Sequence, residues 1–392
     1  MILKPYQKRC WAQIDLDAAA ENFATVKKAA GESQVCCVVK ANAYGHGAIR
    51  LSKLYESLGA GFLAVSNIEE ALQLRDAGTS LPILILGYTD PECAAVLCGS
   101  DITQCVFSID YARRLSSCAA AAGAVVKVHI KLDTGMGRIG FECRDGRFAS
   151  EEVLSVFCLP AIQVTGIFTH FASSDEGNGG KDYTMCQFYS FTHAVDTLVR
   201  HGADPGIRHC ANSAAIFDYP QTRLDMVRAG IVLYGLAPSD KMNNLPHIKP
   251  CLELFSIIDH VKTVRKNEPV SYGRDFVALQ DMKVATIPVG YADGLWRSNY
   301  RNGLSVSVGD GRAPVIGRIC MDQCMIDISG IDGAGVGSVV KLYAAHGPNS
   351  LDSLAKANST INYEIACAVG HRVPRVYMHA GREESVSGLL EI

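Results

Sequence analysis

The sequence predicts an α/β protein in which a (β/α)8 barrel of the TIM type is followed by a smaller, mainly β domain. Three observations predict this class. Short apolar runs recur eight times before residue 234, with helix-like stretches between them. Beyond residue 250, short β-rich runs alternate with glycine, aspartate and asparagine turns. Finally, 392 residues exceed the usual size of a single core.

The eight apolar runs give the order of the barrel strands. They cover residues 36–39, 62–65, 83–86, 105–107, 125–130, 164–168, 207–210 and 226–233. Apolar residues at helical spacing follow the first two runs, over 48–58 and 69–77. This alternation also fits a doubly wound open sheet. Polar residues favour the barrel, because they follow several runs at their C-terminal ends, and a barrel collects those ends on one face.

A change of pattern near residues 238–250 marks the predicted domain boundary. Serine, aspartate, asparagine and proline cluster there. We expect residues 1–245 to form the barrel and 246–392 the β domain, with strands near 284–289, 304–308 and 339–343. Residues 10–16 show strand alternation but precede the first barrel strand, so we expect them to pair with the second domain.

Composition predicts an enzyme of small substrates. The chain is 48% hydrophobic and 20% charged with a net charge of -3 and no basic block, which argues against disorder, nucleic-acid binding and anionic membranes. The N-terminal residues have no apolar leader segment, and no uncharged apolar run reaches the roughly 18 residues of a membrane span. We therefore expect a cytoplasmic protein.

The fifteen cysteines predict reduced thiols. No Cys-x-x-Cys pair occurs, and the count is odd. Cys320 and Cys324 lack further ligands that would complete a zinc site, so we expect no metal.

Lys40 is the first candidate catalytic residue. It stands where the first apolar run ends and a glycine-containing turn, residues 41–47, begins. Partial desolvation there would favour the neutral amine, which can form a Schiff base with an aldehyde cofactor or a carbonyl substrate. A solvated lysine at a strand end is the alternative.

Residues 135–140 read G-x-G-x-x-G, which suggests a dinucleotide site. The motif follows the fifth apolar run instead of the first, and residues 141–146 make a poor helix. Arg138 within the loop suits carboxylate binding. A dinucleotide site is therefore the weaker interpretation.

Nine ordered blocks carry a resemblance to a known family. They are V-V-K-A-N-A-Y-G-H-G at 38–47, K-L-D-T-G-M-G-R-I-G at 131–140, T-H-F-A at 169–172, C-A-N-S-A-A at 210–215, R-A-G-I-V-L-Y-G at 228–235, S-Y-G-R at 271–274, G-Y-A-D-G at 290–294, G-R-I-C-M-D-Q at 317–323 and R-V-P-R at 372–375. In these blocks the chain resembles the bacterial alanine racemases, pyridoxal 5'-phosphate (PLP) enzymes with a barrel and a C-terminal β domain.

The resemblance implies a two-base mechanism. Lys40 would bind PLP covalently and serve one face of the substrate Cα, and Tyr272 of the partner subunit would serve the other face. His170 would contact that tyrosine. Arg228, supported by His209, would face the pyridine nitrogen, and because a guanidinium accepts no proton it would disfavour transamination and decarboxylation.

The resemblance also implies the remaining contacts. The other residues expected to bind the cofactor, mainly at its phosphate, are Tyr44, Asn212, Ser213, Gly230 and Ile231. Arg138 would bind the substrate carboxylate, and Lys131 would orient it, especially as a carbamate. The second domain would add Tyr291, Cys320, Met321 and Asp322 to the substrate site, with Met321 supplied across the interface of a homodimer.

His371 departs from the family pattern. Just before R-V-P-R the family usually has a tyrosine that contacts the phosphate. Either His371 takes over this cofactor contact and alanine stays the preferred substrate, or this smaller, more polar residue loosens the pocket and extends the substrate range to serine. The function implied is an alanine racemase that supplies D-alanine for peptidoglycan, with a serine/alanine racemase as the alternative. A non-catalytic PLP-binding protein and a PLP decarboxylase or aldolase are weaker alternatives, since Tyr272 and the β domain argue against the first and Arg228 against the second.

Overall fold

The computed structural model describes residues 8–144 and 146–388, and its N-terminal part is an eight-stranded parallel barrel. Strands β1 to β11 are Cys10–Asp15, Gln34–Val38, Phe62–Val65, Ile83–Ile85, Ile102–Val106, Val126–Asp133, Phe141–Arg144, Arg147–Phe148, Ile162–Phe168, Ile207–His209 and Met226–Ala229. The barrel order is β2-β3-β4-β5-β6-β9-β10, and β11 pairs with β2. The Arg228 amide donates to the Ala211 carbonyl over 2.9 Å next to β10, which closes the ring.

Helices alternate with these strands as the apolar spacing predicts. Helices α1 to α11 are Leu16–Ala30, Lys40–Tyr44, Ala48–Ser57, Ile68–Asp76, Ala94–Gly99, Ile109–Ala121, Ser150–Phe157, Lys181–Arg200, Ala215–Asp218, Leu351–Ala357 and Asn362–Cys367. Of these, α2 is a single turn with left-handed backbone angles. Asp15 begins α1 as its N-cap, since its carboxylate accepts from the Ala18 amide over 2.9 Å. Phe23 and Val26 of α1 are buried against the barrel, which stabilises by about 1.5–3 kcal/mol for each large side chain.

One local expectation, a last barrel strand that reaches residue 233, was wrong. Strand β11 ends at Ala229, and Ile231–Tyr234 forms a short 3-10 helix because the chain turns at Gly230. Strand β6 continues to Asp133, so Lys131 lies within a strand. Residues 141–144 form β7, which pairs with the extended end of β6. The additional pairing explains why a run with little helical character is nevertheless ordered.

The second part of the chain builds a ten-stranded sheet. Strands β12 to β22 are Leu252–Ile257, His260–Val264, Pro269–Val270, Phe276–Val277, Met282–Ile287, Ser305–Val308, Gly311–Ile316, Cys324–Asp327, Val339–Tyr343, Arg375–His379 and Arg382–Ser387. The sheet order is β13-β16-β19-β18-β17-β20-β12-β1-β21-β22. β1 is antiparallel to β12 and parallel to β21. A division of the chain at residues 245 and 246 remains a proposal.

One large core joins the two parts. Buried residues of the barrel and of the second sheet form a continuous cluster that includes Leu63, Tyr234, Leu254 and Tyr343. All fifteen cysteines are free. Among the described residues, none of the helices combines the length and apolar character of a membrane span. The expected lack of an N-terminal leader segment concerns residues 1–7, outside the described part.

Candidate active site

A cavity of about 1120 Å³ opens at the C-terminal ends of the barrel strands. Ten of the predicted site residues line it: Lys40, Tyr44, Lys131, Arg138, His170, Asn212, Ser213, Arg228, Gly230 and Ile231. They come from the ends of five strands and the loops that follow. The barrel geometry therefore brings together residues that are almost 200 positions apart in the sequence.

Lys40 enters this cavity from the end of β2. The preceding strand is buried and the turn that follows is capped by Glu70, whose carboxylate accepts from the Ala41 amide at 2.6 Å and from the Ser66 amide at 2.8 Å. Burial, with a smaller effect of the positive charge of Arg138, lowers the pKa of Lys40 below its usual value. The neutral amine needed for nucleophilic attack is therefore more accessible than on a solvated lysine.

A small space, which we call the hydroxyl cup, is surrounded by the hydroxyl groups of Tyr44 and Ser213 and the backbone of Gly230. Ser213 Oγ accepts from the Gly230 amide over 2.9 Å. A Cβ atom at position 230 would lie only 2.9 Å from Tyr44 Oη and 3.6 Å from Ser213 Oγ, so a side chain would fill the cup. Small hydroxyl donors around an open backbone suit a compact anion such as a phosphate.

Arg228 lies on the cavity wall, fixed by five acceptors. It is 4% exposed and donates to the carbonyls of Thr169, His209 and Cys210 at 2.7–3.1 Å, and to Nδ1 of His209 and His170 at 2.9 and 3.3 Å. The ring of Phe168 packs against the guanidinium, 5.3 Å away. Such a group is oriented before any ligand arrives.

Sequence reasoning missed His129, which continues this network. Because His209 Nδ1 accepts from Arg228, its Nε2 must carry the hydrogen and donate to His129 Nδ1 at 2.9 Å. A Cβ at Gly166 would lie 2.5 Å from His129 Nε2, so glycine makes room for the ring. Burial lowers the pKa of His129 to about 3 and that of His209 well below its usual range. A histidine inside an apolar strand gave no sequence signal.

Lys131 is a buried amine without an ion-pair partner among the described residues. It is 4% exposed, and its Nζ lies 5.5 Å from the centre of the Phe168 ring. Burial, with additional repulsion from Arg138 and Arg228, lowers its pKa to about 8. The neutral fraction near neutral pH is therefore larger than for a solvated lysine, which makes this amine more reactive.

Comparisons with known proteins identify the family. The family models for the N-terminal and C-terminal domains of alanine racemase match residues 14–238 and 251–377. An alanine racemase of Methanococcus maripaludis is 43% identical over 373 residues, which are 94% of this chain and 98% of that protein.

The chain belongs to the alanine racemase family.

Solved structures agree with this assignment. An alanine racemase of Clostridium difficile is 38% identical and superposes with a TM-score of 0.92 over 97% of this chain and 99% of that one. A histidine racemase of Leuconostoc mesenteroides is 26% identical with a TM-score of 0.85 over 97% of this chain and 100% of that one. The predicted family, fold class and isomerase assignment are confirmed.

His170 faces the same cavity as the other family residues. Its Nδ1 accepts from Arg228, so a neutral ring carries its hydrogen on Nε2. Burial lowers the pKa of His170 well below its usual range, and the surrounding cations Arg228, Arg138, Lys131 and Lys40 lower it further. This histidine is therefore a neutral hydrogen-bond donor at neutral pH and a poor proton acceptor.

The second-domain residues expected from the family blocks lie elsewhere. Tyr272, Tyr291 and Met321 are 66%, 43% and 53% exposed, and none lines the cavity of its own chain. Cys320 is partly buried with its thiol 3.7 Å from Ser271 Oγ, and Asp322 accepts from Arg372 at 2.7 Å. Within one chain the structure does not bring these residues to the barrel site.

His371 is exposed and does not line the cavity either. Its expected contact with the cofactor phosphate stays a prediction. Tyr363, which sequence reasoning missed, occupies the cavity wall, with its ring centre 5.9 Å from that of Tyr44. Burial raises the pKa of Tyr363, so its hydroxyl stays protonated. Its only sequence signal was an aromatic residue at the start of a short helix.

Proposed function

We propose that this protein is a PLP-dependent alanine racemase that interconverts L- and D-alanine with two bases. The observation that carries this proposal is the joint placement of Lys40, the hydroxyl cup and Arg228 around one cavity. A PLP molecule needs an amine near its aldehyde, donors at its phosphate and a partner at its ring nitrogen. The residues present fit all three needs, and Gly230 leaves the space that a phosphate requires.

PLP, when bound, supplies an electron sink that acidifies the Cα hydrogen of the attached amino acid. The chain's own residues move the proton. Lys40, whose pKa burial lowers, accepts or returns a proton at Nζ on one face of Cα. On the opposite face, the phenolate of Tyr272 of the partner subunit accepts a proton in one direction of the reaction, and its hydroxyl returns a proton in the other direction. The neutral His170 supports that tyrosine by hydrogen bonding.

Arg228 restricts the chemistry to racemisation. The hydrogens on its Nη1 and Nη2 are engaged with fixed acceptors, and a guanidinium accepts no proton. Arg228 would therefore keep the ring nitrogen of a bound PLP unprotonated, and this weaker electron sink would disfavour side reactions that need a strong one. His209 and His129 keep the guanidinium in place.

Arg138 binds the substrate carboxylate from the loop that follows β6. Lys131 is buried beside it without an anionic partner in the described residues, and its pKa of about 8 leaves an amine able to add carbon dioxide. The resulting carbamate turns a repelling cation into an anion that orients Arg138. This modification is part of the proposal, as is the role of the backbone of Met321 in holding the carboxylate.

A homodimer completes each site. Arg228 and Lys131 of the barrel are buried, whereas Tyr272 and Met321 are exposed on the surface of their own chain. A second copy that covers these surfaces would bring the partner subunit's Tyr272 to the cavity. We place this enzyme in the cytoplasm, where it supplies D-alanine for peptidoglycan.

A complementation experiment tests the shared site. Lys40→Ala and Tyr272→Phe are each purified and then co-refolded in equal amounts. If the sites are shared, mixed dimers contain one site with both wild-type bases, and activity returns to about a quarter of the wild-type value, since half of the dimers are mixed and half of their sites are intact. Refolded single variants are the controls. Absence of recovery, with PLP bound in the Tyr272→Phe protein, would contradict the shared site.

The serine/alanine alternative receives no support from His371, which lies outside the cavity of its chain. The fold alone does not select the substrate, because a histidine racemase shares it. Proton exchange at Cα of L-alanine and L-serine in D₂O, followed by NMR, compares the two substrates directly. Lack of exchange at either one in the PLP-loaded protein would favour a non-catalytic PLP-binding protein.

A further inference from the structure

The turn that carries Lys40 is left-handed. Ala41, Asn42, Ala43 and Tyr44 have φ values of 52° or 53°, and none is a glycine. L-residues avoid this conformation because Cβ then approaches the following carbonyl oxygen. Four such residues in succession need surrounding contacts that hold them in place.

His46 holds the turn from the inside. Its Nδ1 lies 2.9 Å from the Tyr44 carbonyl oxygen and 3.1 Å from that of Ala43. Both partners only accept, so Nδ1 carries the hydrogen and donates to both carbonyls. The ring is fully buried, and its Nε2 has no partner among the described residues. Burial lowers the pKa of His46 to about 4, which keeps it neutral at pH 7.

The same histidine contacts the strand that leads to Lys40. Its ring packs against Tyr234, with 4.7 Å between the ring centres. Tyr234 Oη donates to the Val38 carbonyl at 2.7 Å, two residues before Lys40. His46 therefore joins both sides of the Lys40 segment to the barrel core.

The second domain holds the turn from the outside. Arg375, which is 3% exposed, donates through Nε to the Gly45 carbonyl at 3.0 Å. A Cβ at Gly45 would collide with the Ala366 carbonyl oxygen, and one at Gly47 with the Tyr377 hydroxyl. The backbone on this side is in direct contact with the second domain, so the turn has no room to shift outwards.

We propose that His46 is a positioning residue that fixes the left-handed turn and thereby sets the distance between the Lys40 amine and the Tyr44 hydroxyl. This inference rests on the proposed function, in which these groups hold opposite ends of PLP. Without the two hydrogen bonds, the turn relaxes towards commoner backbone angles, and the Tyr44 hydroxyl leaves its place beside Gly230. PLP then loses a phosphate contact while the barrel stays folded.

The test compares His46→Asn with His46→Leu. The asparagine amide nitrogen occupies the place of Nδ1, whereas leucine has a similar branched shape and no donor. Both variants lose the aromatic ring that packs against Tyr234. Three properties are measured: the dissociation constant of PLP from the apoprotein, the yield of the borohydride-reduced PLP adduct on Lys40 by peptide mapping, and the melting temperature. We expect PLP to bind His46→Leu about tenfold more weakly than His46→Asn.

Equal PLP affinity in the two variants would overturn the inference, as would a fall in melting temperature with unchanged affinity. If His46→Leu does not fold, His46→Gln replaces it, because its amide lies one carbon further out and misses both carbonyls. A wild-type protein without PLP on Lys40 would contradict the proposed function instead. Wild-type binding together with unaffected variants would contradict only the role of His46.

Discussion

The proposed site residues at the C-terminal end of the barrel and those on the surface of the second domain differ in burial and in hydrogen bonding. Arg228 and Lys131 are each 4% exposed, and Arg228 is held by five acceptors. Tyr272 and Met321, in contrast, are 66% and 53% exposed. A buried, bonded group is oriented without a ligand, whereas an exposed one gains its orientation on assembly. Under the proposed mechanism we therefore expect cofactor binding to need one chain and racemisation to need two.

The largest effect is expected from Lys40→Ala, which removes a base and the covalent attachment. Racemisation should fall by at least about 10⁴-fold, because a nucleophile and a proton-transfer group are lost together. The measurement is turnover together with the absorbance of bound PLP. Lys53→Ala, at an exposed position of α3, is the control and should keep full activity. If Lys40→Ala kept its turnover, the proposed role of the barrel site in catalysis would be wrong.

Tyr272→Phe tests the exposed residues of the second domain separately from the barrel residues, since it changes only the exposed surface. We expect racemisation to fall by about 10²–10³-fold, the usual contribution of one general acid–base group. PLP affinity should stay unchanged because no barrel contact is lost. Turnover and a PLP titration measure the two effects separately. The control is Tyr189→Phe, at a barrel tyrosine that is 62% exposed. A large loss of PLP affinity in Tyr272→Phe would contradict the division of roles.

The buried histidines of the barrel predict acid sensitivity. Burial lowers the pKa of His129 from 6.5 to about 3 and that of His46 to about 4. Below pH 6.5 these histidines bind protons in the unfolded chain but not in the folded barrel. Their contribution to the free energy of unfolding is therefore fully present above this pH and is lost as the pH falls. For each of these two histidines, the free energy of unfolding should fall by up to about 2 kcal/mol as the pH is lowered from 6.5 to 5.

Denaturant unfolding at several pH values measures this loss. The comparison is made between the wild-type chain and His129→Gln, in which one titrating group is removed. The variant should be less stable at pH 7 and should lose less stability between pH 6.5 and 5. Parallel pH curves for the two proteins would show that His129 does not contribute.

Lys131→Met should have a smaller effect, mainly on substrate binding. Loss of an anion that orients Arg138 should raise the KM for alanine by about tenfold, the value of one charge-assisted hydrogen bond. Carbon-13 NMR after addition of labelled bicarbonate detects the carbamate in the wild-type chain. Lys127→Met, on the exposed side of the same strand, is the control. An unlabelled lysine with an unchanged KM would refute the carbamate.

The smallest effect is expected from His371→Tyr. Because His371 is exposed and outside the cavity of its chain, the ratio of alanine to serine exchange should change by less than about threefold. The D₂O experiment measures this ratio, and Tyr363→Phe serves as a comparison within the cavity. A large change in His371→Tyr would mean that this residue reaches the site of the partner subunit.

Much of the barrel site follows from the sequence, because its residues occur in compact blocks. Lys40 was recognisable from an apolar strand followed by a turn, and Arg228 from its block at the end of the last barrel strand. His129 and Tyr363 were not recognisable. His129 acts through a histidine 80 positions away, and Tyr363 faces Tyr44 only because the second domain packs on the barrel.

The sequence by itself determined the alternation of strands and helices, the family and the chemical types at the strand ends, since these depend on local pattern and composition. Tertiary structure decided which of those groups meet. Buried neighbours set the lowered pKa values of Lys131 and His129, and contacts from His46 and Arg375 surround a left-handed turn that local propensity disfavours. Desolvation and strain depend on what surrounds a residue, and folding supplies those surroundings from distant parts of the chain.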